Sequence, residues 1–188
     1  MMFVLKRKKF QIRGFTFVEM MVSIGIITLL TVMVLAYNRR AETITALARS
    51  ANKLVFELQR IQNQAMLVYQ GNIKEEKICG WGMYFNSPTS TIAFKDFCTE
   101  DNQGEGDKKY EENEKEAIIP LVKQTEIIET NIQSVVFVPP EPKVYFYPQE
   151  ISQGVIKIRL ENQLTEYPYY EIIIGKNGQI FKKLGSQP

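Results

Sequence analysis

The 188 residues include no histidine. That absence excludes Ser-His and Cys-His nucleophilic pairs and any His-ligated metal site. The carboxylates are mostly gathered in polar runs instead of standing singly in apolar surroundings, where burial lifts a pKa toward the general-acid range. No catalytic residue, cofactor or metal site is expected, and the chain does not read as an enzyme. Acidic residues are also missing from the first 14 positions, where Lys6, Arg7, Lys8, Lys9 and Arg13 stand without a single Asp or Glu. The net charge of +2 therefore misleads: 23 basic residues less these five leave 18 against 21 acidic ones, a net charge of −3 beyond the leader.

A long apolar run follows that leader. From Phe15 to Tyr37 the only charged residue is Glu19. At about 1.5 Å rise per residue the run is long enough to cross a hydrocarbon core of about 30 Å as one helix. A secretory signal peptide has a shorter core and ends at a small-residue cleavage site of the A-x-A kind. Here the run is longer, no such site follows it, and the sequence beyond stays helical in pattern. A carboxylate inside such a span is costly and calls for a partner or for a place near the water interface.

The residues around Glu19 supply a sharper reading. A basic leader, Gly14, Phe15, Thr16 and then Glu19 as the fifth residue after the glycine resemble the class III signal of bacterial type IV prepilins and type II secretion pseudopilins. The resemblance implies cleavage of the Gly14–Phe15 bond by a prepilin peptidase on the cytoplasmic side and methylation of the new N terminus at Phe15. It also implies a role for Glu19 as the partner of that α-amino group during subunit assembly. The chemistry is consistent, since cleavage creates an ammonium at the positive end of a helix, where a carboxylate neutralises it while both are dehydrated. Whether the carboxylate comes from a neighbouring subunit or from the same first turn stays open at this point. Glycine suits the cut because a residue without a side chain lets a protease approach the backbone. Family members often carry a proline as mature residue twenty-two; this chain has Ala36 there.

Helical patterning continues past Asn38, Arg39 and Arg40, which mark the polar edge of the span. Ile44, Leu47, Ala51, Leu54, Val55, Leu58, Ile61, Ala65 and Val68 recur at three- and four-residue steps, the period of an α-helix. Glu42, Arg49, Lys53, Glu57 and Arg60 fall largely off this stripe. Gly71, with Asn72 beside it, offers a C-terminal cap. One helix is expected from about Phe15 to Tyr69, in lipid first and then laying an apolar stripe on a folded domain.

From Cys79 the pattern turns to strands. CGWGMYF and TIAFKDFC flank the turn-rich NSPTS. A simple hairpin centred near Pro88 pairs Met83 with Phe94 and Phe85 with Ile92, and sets Cys79 opposite Cys98. Cross-strand neighbours lie within disulfide reach, so a Cys79–Cys98 bond is expected in a domain outside the cytoplasm. In that register Gly80 and Gly82 share a face open to close approach by the helix. Thr99 to Glu116 is almost wholly polar and reads as a solvent-exposed loop. Within it Asp101, Gln103, Glu105 and Asp107 alternate as in oxygen-ligand calcium loops, with Glu112 twelfth from Asp101; a hydrated loop is the expectation. AIIPLV, SVVFVP, KVYFYP, GVIKIRLE and YYEIIIGKNGQIFKK supply further strands, the last around Asn177-Gly178, a hairpin signal.

The expected fold is α+β and pilin-like: one long N-terminal helix, transmembrane in its first half and amphipathic in its second, packed on an antiparallel β-sheet domain. The divisions are a leader at 1–14, a membrane half at 15–37, an amphipathic half at 38–70 and an exported β-rich domain at 71–188. Strand order and texture further resemble the H-type minor pseudopilins and minor pilins. The implied function is that of a structural subunit of a type IV pilus or a type II secretion pseudopilus. Its implied partners are prepilin peptidase, other pilin or pseudopilin subunits and an inner-membrane assembly platform. The precursor is expected in the inner membrane with its leader in the cytoplasm, as positive charge on the inside requires. The alternative is a nucleic-acid-binding minor pilin that acts in DNA uptake through Lys176, Lys182 and Lys183, near Lys157 and Arg159. Against it stand the acidic balance of the mature chain and the interspersed Glu161, Glu166 and Glu171.

Overall fold

The computed structural model describes residues 14–70, 78–98, 106–140, 143–148, 151–161 and 168–185. The basic leader residues, Gly71, Asn72, Asp101, Gln103, Glu105 and Glu166 lie outside the described residues. The chain divides into two compact units, Met1–Ala41 and Glu42–Pro188. A single α-helix, α1 at Phe17–Gln70, runs through the boundary between them, and no break falls at Asn38–Arg40.

In the first unit α1 is exposed along its described length, and Phe17–Leu35 is the stretch among the described residues that is long and apolar enough to cross a membrane. Its hydroxyls are satisfied inside the helix. Ser23 donates to the carbonyl of Glu19 at 2.7 Å, Thr28 to that of Ile24 at 2.8 Å and Thr31 to that of Ile27 at 2.7 Å. In hydrocarbon an unpaired hydroxyl is costly, so this back-bonding makes three polar residues compatible with lipid.

In the second unit the same helix is amphipathic. Leu47, Ala51, Leu54, Leu58, Ile61 and Ala65 are almost completely buried, and each large one stabilises the fold by roughly 1.5–3 kcal/mol through removal of apolar surface from water. Ile44, assigned to the stripe by period alone, is instead exposed, as are Phe56 and Leu67.

Nine strands follow among the described residues: β1 Ile78–Tyr84, β2 Ser90–Phe97, β3 Lys115–Pro120, β4 Thr125–Thr130, β5 Ser134–Val138, β6 Lys143–Tyr147, β7 Gln153–Leu160, β8 Tyr169–Gly175 and β9 Ile180–Gly185. They form two antiparallel sheets, ordered β3-β2-β1-β5-β6 and β4-β7-β8-β9. One core joins them to the helix: Leu54, Leu58 and Ile61 lie in the same buried cluster as Met83, Val135 and Phe137 of the first sheet and Ile156, Ile158 and Ile172 of the second. The architecture is α+β and pilin-like, a long N-terminal helix followed by antiparallel β-sheets.

Polar contacts fix the helix on this core. Lys53 Nζ donates to the Pro120 carbonyl at 2.6 Å, Gln62 Nε2 to that of Gly178 at 3.0 Å, and the buried Ser50 and Thr125 hydroxyls bond to each other at 2.8 Å. The turn between β8 and β9 places the positive φ of 77° at Gly178, while Gly175 and Gln179 close it through a backbone bond of 2.8 Å. Left-handed backbone favours glycine at that position.

The first hairpin departs from the expected register by one residue. Met83 pairs with Ala93, Gly82 with Phe94 and Tyr84 with Ile92, and the ladder shifts between Ile78 and Gly80. A one-residue slip exchanges the two faces of a strand, and the observed register puts Met83 and Ala93 together in the core. Cys79 falls at the irregularity and is joined to Cys98, with Cα atoms 5.1 Å apart. Gly80 and Gly82 do not admit the helix. A Cβ at Gly82 would lie 2.3 Å from the Phe94 ring and 2.8 Å from the Val135 carbonyl, and one at Gly80 would lie 2.8 Å from Val136. The space is taken by side chains of the sheet's other face.

That other face is covered by residues 106–114, where the sequence suggested a hydrated loop. Gly106 bridges to Cys98 in antiparallel fashion, a 3-10 turn forms at Glu112–Glu114, and β3 begins at Lys115. Tyr110 stacks on Tyr84 with centroids 4.5 Å apart and meets Phe94 edge-on at 5.4 Å. Lys108 and Lys109 place their ammonium groups over Tyr145 and Tyr147 of β6. An aromatic ring and two aliphatic stems thus give a polar sequence enough apolar surface to pack.

Candidate functional site

Gly14, Phe15 and Thr16 precede the first turn of α1 and are exposed, Phe15 to 77%. A Cβ built on Gly14 would meet nothing within 4 Å. The fold itself therefore places no steric demand for glycine there, and such a demand would come from a molecule that handles the bond. Thr16 acts as the cap of the helix: its Oγ1 accepts the Glu19 amide at 3.3 Å, and its carbonyl accepts the Met20 amide at 3.2 Å. Thr16 and Glu19 stand three apart, the spacing of a capping box. Glu19 lies in the first turn, where the helix dipole favours a negative charge. Its side chain is exposed, and among the described residues it forms no ion pair. The site thus consists of an open peptide bond, a capped helix start, one acid in its first turn and an apolar helix of lipid-crossing length.

The C-terminal lysines are placed differently. Lys183 pairs with Glu171 at 2.7 Å, and Lys182 donates to Asn52 and sits over the Tyr170 ring. Nearby, Lys157 pairs with Glu129 at 2.7 Å and Arg159 with Glu126 at 3.1 Å. Lys176 is in the β8–β9 turn and is exposed. Most of these cations face carboxylates of the same sheet.

Sequence reading missed a third group. Asp96 of β2, Asp107 and Glu114 each bring one carboxylate oxygen within 4.8 Å of the other two. Asp96 and Glu114 are buried and Asp107 is half-buried. Asp96 Oδ1 accepts the Lys108 amide at 3.3 Å, while Glu114 accepts the Phe97 amide on Oε1 at 3.0 Å and the Glu111 amide on Oε2 at 3.1 Å. Burial pushes the Asp96 carboxyl up to about 7, with repulsion from Glu114 and Asp107 adding and the Lys108 amide and ammonium opposing. Burial likewise raises Glu114, against the two amides that hold it ionised. Of the acids that alternate from Asp101, Asp107 lies among the described residues and is in this group. Glu112, twelfth in that count, is instead exposed and accepts from Tyr110 and Lys115. One local signal did exist: Ile92, Phe94 and Asp96 alternate along one face of β2, which places a lone acid in line with two large apolar residues.

The model of the prokaryotic N-terminal methylation motif matches residues 9–35, the stretch that contains Gly14, Phe15, Glu19 and the start of the apolar helix. No curated protein and no solved structure matches the chain.

Proposed function

We propose that this chain, whose N terminus is the class III signal of type IV prepilins and pseudopilins, is a structural subunit of a type IV pilus or a type II secretion pseudopilus. The observation that carries this reading is the methylation motif, laid over an exposed Gly14–Phe15 bond and a capped apolar helix with Glu19 in its first turn. The precursor sits in the inner membrane through Phe17–Leu35, its basic leader in the cytoplasm. Prepilin peptidase cuts after Gly14, and Phe15 is methylated. The ammonium left at Phe15 then meets a carboxylate within the helix bundle. Glu19 is exposed in the first turn of the helix, within reach of the Phe15 ammonium of a neighbouring subunit, and that pairing also sets the axial stagger. The chain performs no reaction; it is a substrate and then a building block.

DNA uptake through Lys176, Lys182 and Lys183 has less support. Phosphate contacts need cations whose charge is available, and Lys183 together with its neighbours Lys157 and Arg159 is matched by an acid on an adjacent strand.

The test is incorporation. The chain is expressed with a prepilin peptidase, partner subunits and an assembly platform, and filaments are sheared and immunoblotted. Glu19→Ala is expected to be processed yet to be lost from the filament fraction. Wild-type incorporation of Glu19→Ala contradicts the assembly role of Glu19. Salt-dependent DNA binding that disappears on Lys182→Ala with Lys183→Ala favours the second reading.

A further inference from the structure

The cluster beneath residues 106–114 is not used by the assembly function, and its composition is unusual for a buried place. Two acids that are nine-tenths or more buried, Asp96 at 1% exposure and Glu114 at 6%, share it with half-buried Asp107. Carboxylates are seldom buried unless paired or bound to a metal. The hydrogen bonds present answer only part of the group. Each oxygen of Glu114 accepts one backbone amide, Asp107 Oδ1 accepts the Lys109 amide at 2.9 Å, and Asp96 Oδ1 accepts that of Lys108. Asp96 Oδ2 is completely buried and has no hydrogen-bond partner. An orphan carboxylate oxygen in the interior costs a full desolvation penalty unless something positive meets it.

The backbone is shaped to the same end. Gly106 lies so close to Asp96 that a Cβ there would fall 2.1 Å from Oδ2 and 2.3 Å from Oδ1. The bridge of Gly106 to Cys98 and the Phe97–Glu114 bond hold both ends of the covering segment against the end of β2. Three acids distant in sequence are therefore brought together by ties made of other atoms.

We propose that Asp96, Asp107 and Glu114 form a binding site for a hard divalent cation of the calcium class, held between β2 and residues 106–114. The donor set is oxygen only, which suits Ca²⁺, Mg²⁺ or Mn²⁺ and disfavours metals that seek nitrogen or sulfur. Calcium is the first choice because an irregular loop site with mixed burial tolerates its flexible coordination, whereas Mg²⁺ demands near-octahedral geometry. The cation meets the orphan oxygen and pins the segment that carries Tyr110 onto the outer face of the sheet. Subunit surface structure in that region then depends on the cation.

The experiment uses the full chain in detergent, freed of metal by chelation and titrated with CaCl₂ alone while heat and thermal unfolding are recorded. The expected result is one ion per chain with a Kd on the order of 10⁻⁴–10⁻³ M, as in loop sites of extracellular modules, and a rise in Tm. Asp107→Asn, half-buried and tolerant of an amide, is expected to weaken binding by about tenfold or more, the scale of loss when a metal site is disturbed. Glu112→Gln, outside the cluster, is expected to bind as wild type. A titration with no heat and no Tm shift up to about 10 mM, well above that range, for Ca²⁺, Mg²⁺ and Mn²⁺ alike overturns the proposal. Binding that Asp107→Asn leaves unchanged, or that Glu112→Gln abolishes, overturns it equally.

Discussion

Tyr110 lies flat on Tyr84, ring centroids 4.5 Å apart and planes 19° from parallel, so that a residue of a polar connection covers the outer face of β1. The pair explains how a sheet with one face on the helix keeps Phe94 and Val136 buried on the other. Tyr110→Ala is expected to lower stability by about 1–3 kcal/mol, from lost area and lost ring contact. Tyr110→Phe should cost less, because among the described residues the hydroxyl bonds to exposed Glu112 alone. Urea unfolding monitored by tyrosine fluorescence decides this; equal losses for the two variants contradict the packing role.

Gly82 is the other half of that arrangement. Ala at this position places a methyl against the Phe94 ring and the Val135 carbonyl, and overpacking of a filled interior costs roughly 1–3 kcal/mol. A drop in Tm for Gly82→Ala, with far-UV circular dichroism retained, is the expected outcome.

The Cys79–Cys98 bond closes a loop with a sequence separation of 19. Chain-entropy arguments give about 3 kcal/mol for a loop of that size. Replacing both cysteines by serine should lower the urea midpoint accordingly. It should also increase protease cleavage within residues 99–116, because Gly106 bridges to Cys98.

Asp96 gives a pH dependence in chelator-treated protein. Its carboxyl is pushed from 3.8 up to about 7 on folding, by burial first, with Glu114, Asp107 and Lys108 as the charged groups around it. A raised pKa means that the folded state holds the proton more tightly. The contribution of Asp96 is therefore full below about pH 4 and is lost as the pH rises through about 7. Urea midpoints of wild type should fall relative to Asp96→Asn across that window; a constant difference contradicts the assignment.

What sequence disclosed was set by locality. The helix announces itself by a period of three and four, and β5 to β9 by short β-branched runs between turns. β4 did not, because Thr125, Glu126, Glu129 and Thr130 make it read as polar. Its charges are matched across the ladder, Glu126 opposite Arg159 and Glu129 opposite Lys157, a relation between distant segments. The hairpin register was missed by one residue because the ladder shifts between Ile78 and Gly80, so that the joined cysteines do not mark a plain cross-strand pair. The N-terminal motif was legible because Gly14, Phe15, Thr16 and Glu19 lie within a few residues of one another. The carboxylate cluster was not, because Asp96 and Glu114 meet only through the fold.

The central claim rests on the bond after Gly14. Intact mass and N-terminal sequencing of membrane-extracted protein, produced with and without a prepilin peptidase, test it most directly. A mature chain that begins at N-methylated Phe15, found only with the peptidase and abolished by Gly14→Glu, is the expected result. An uncut chain in the presence of the peptidase, or a cut beyond the apolar run, contradicts it.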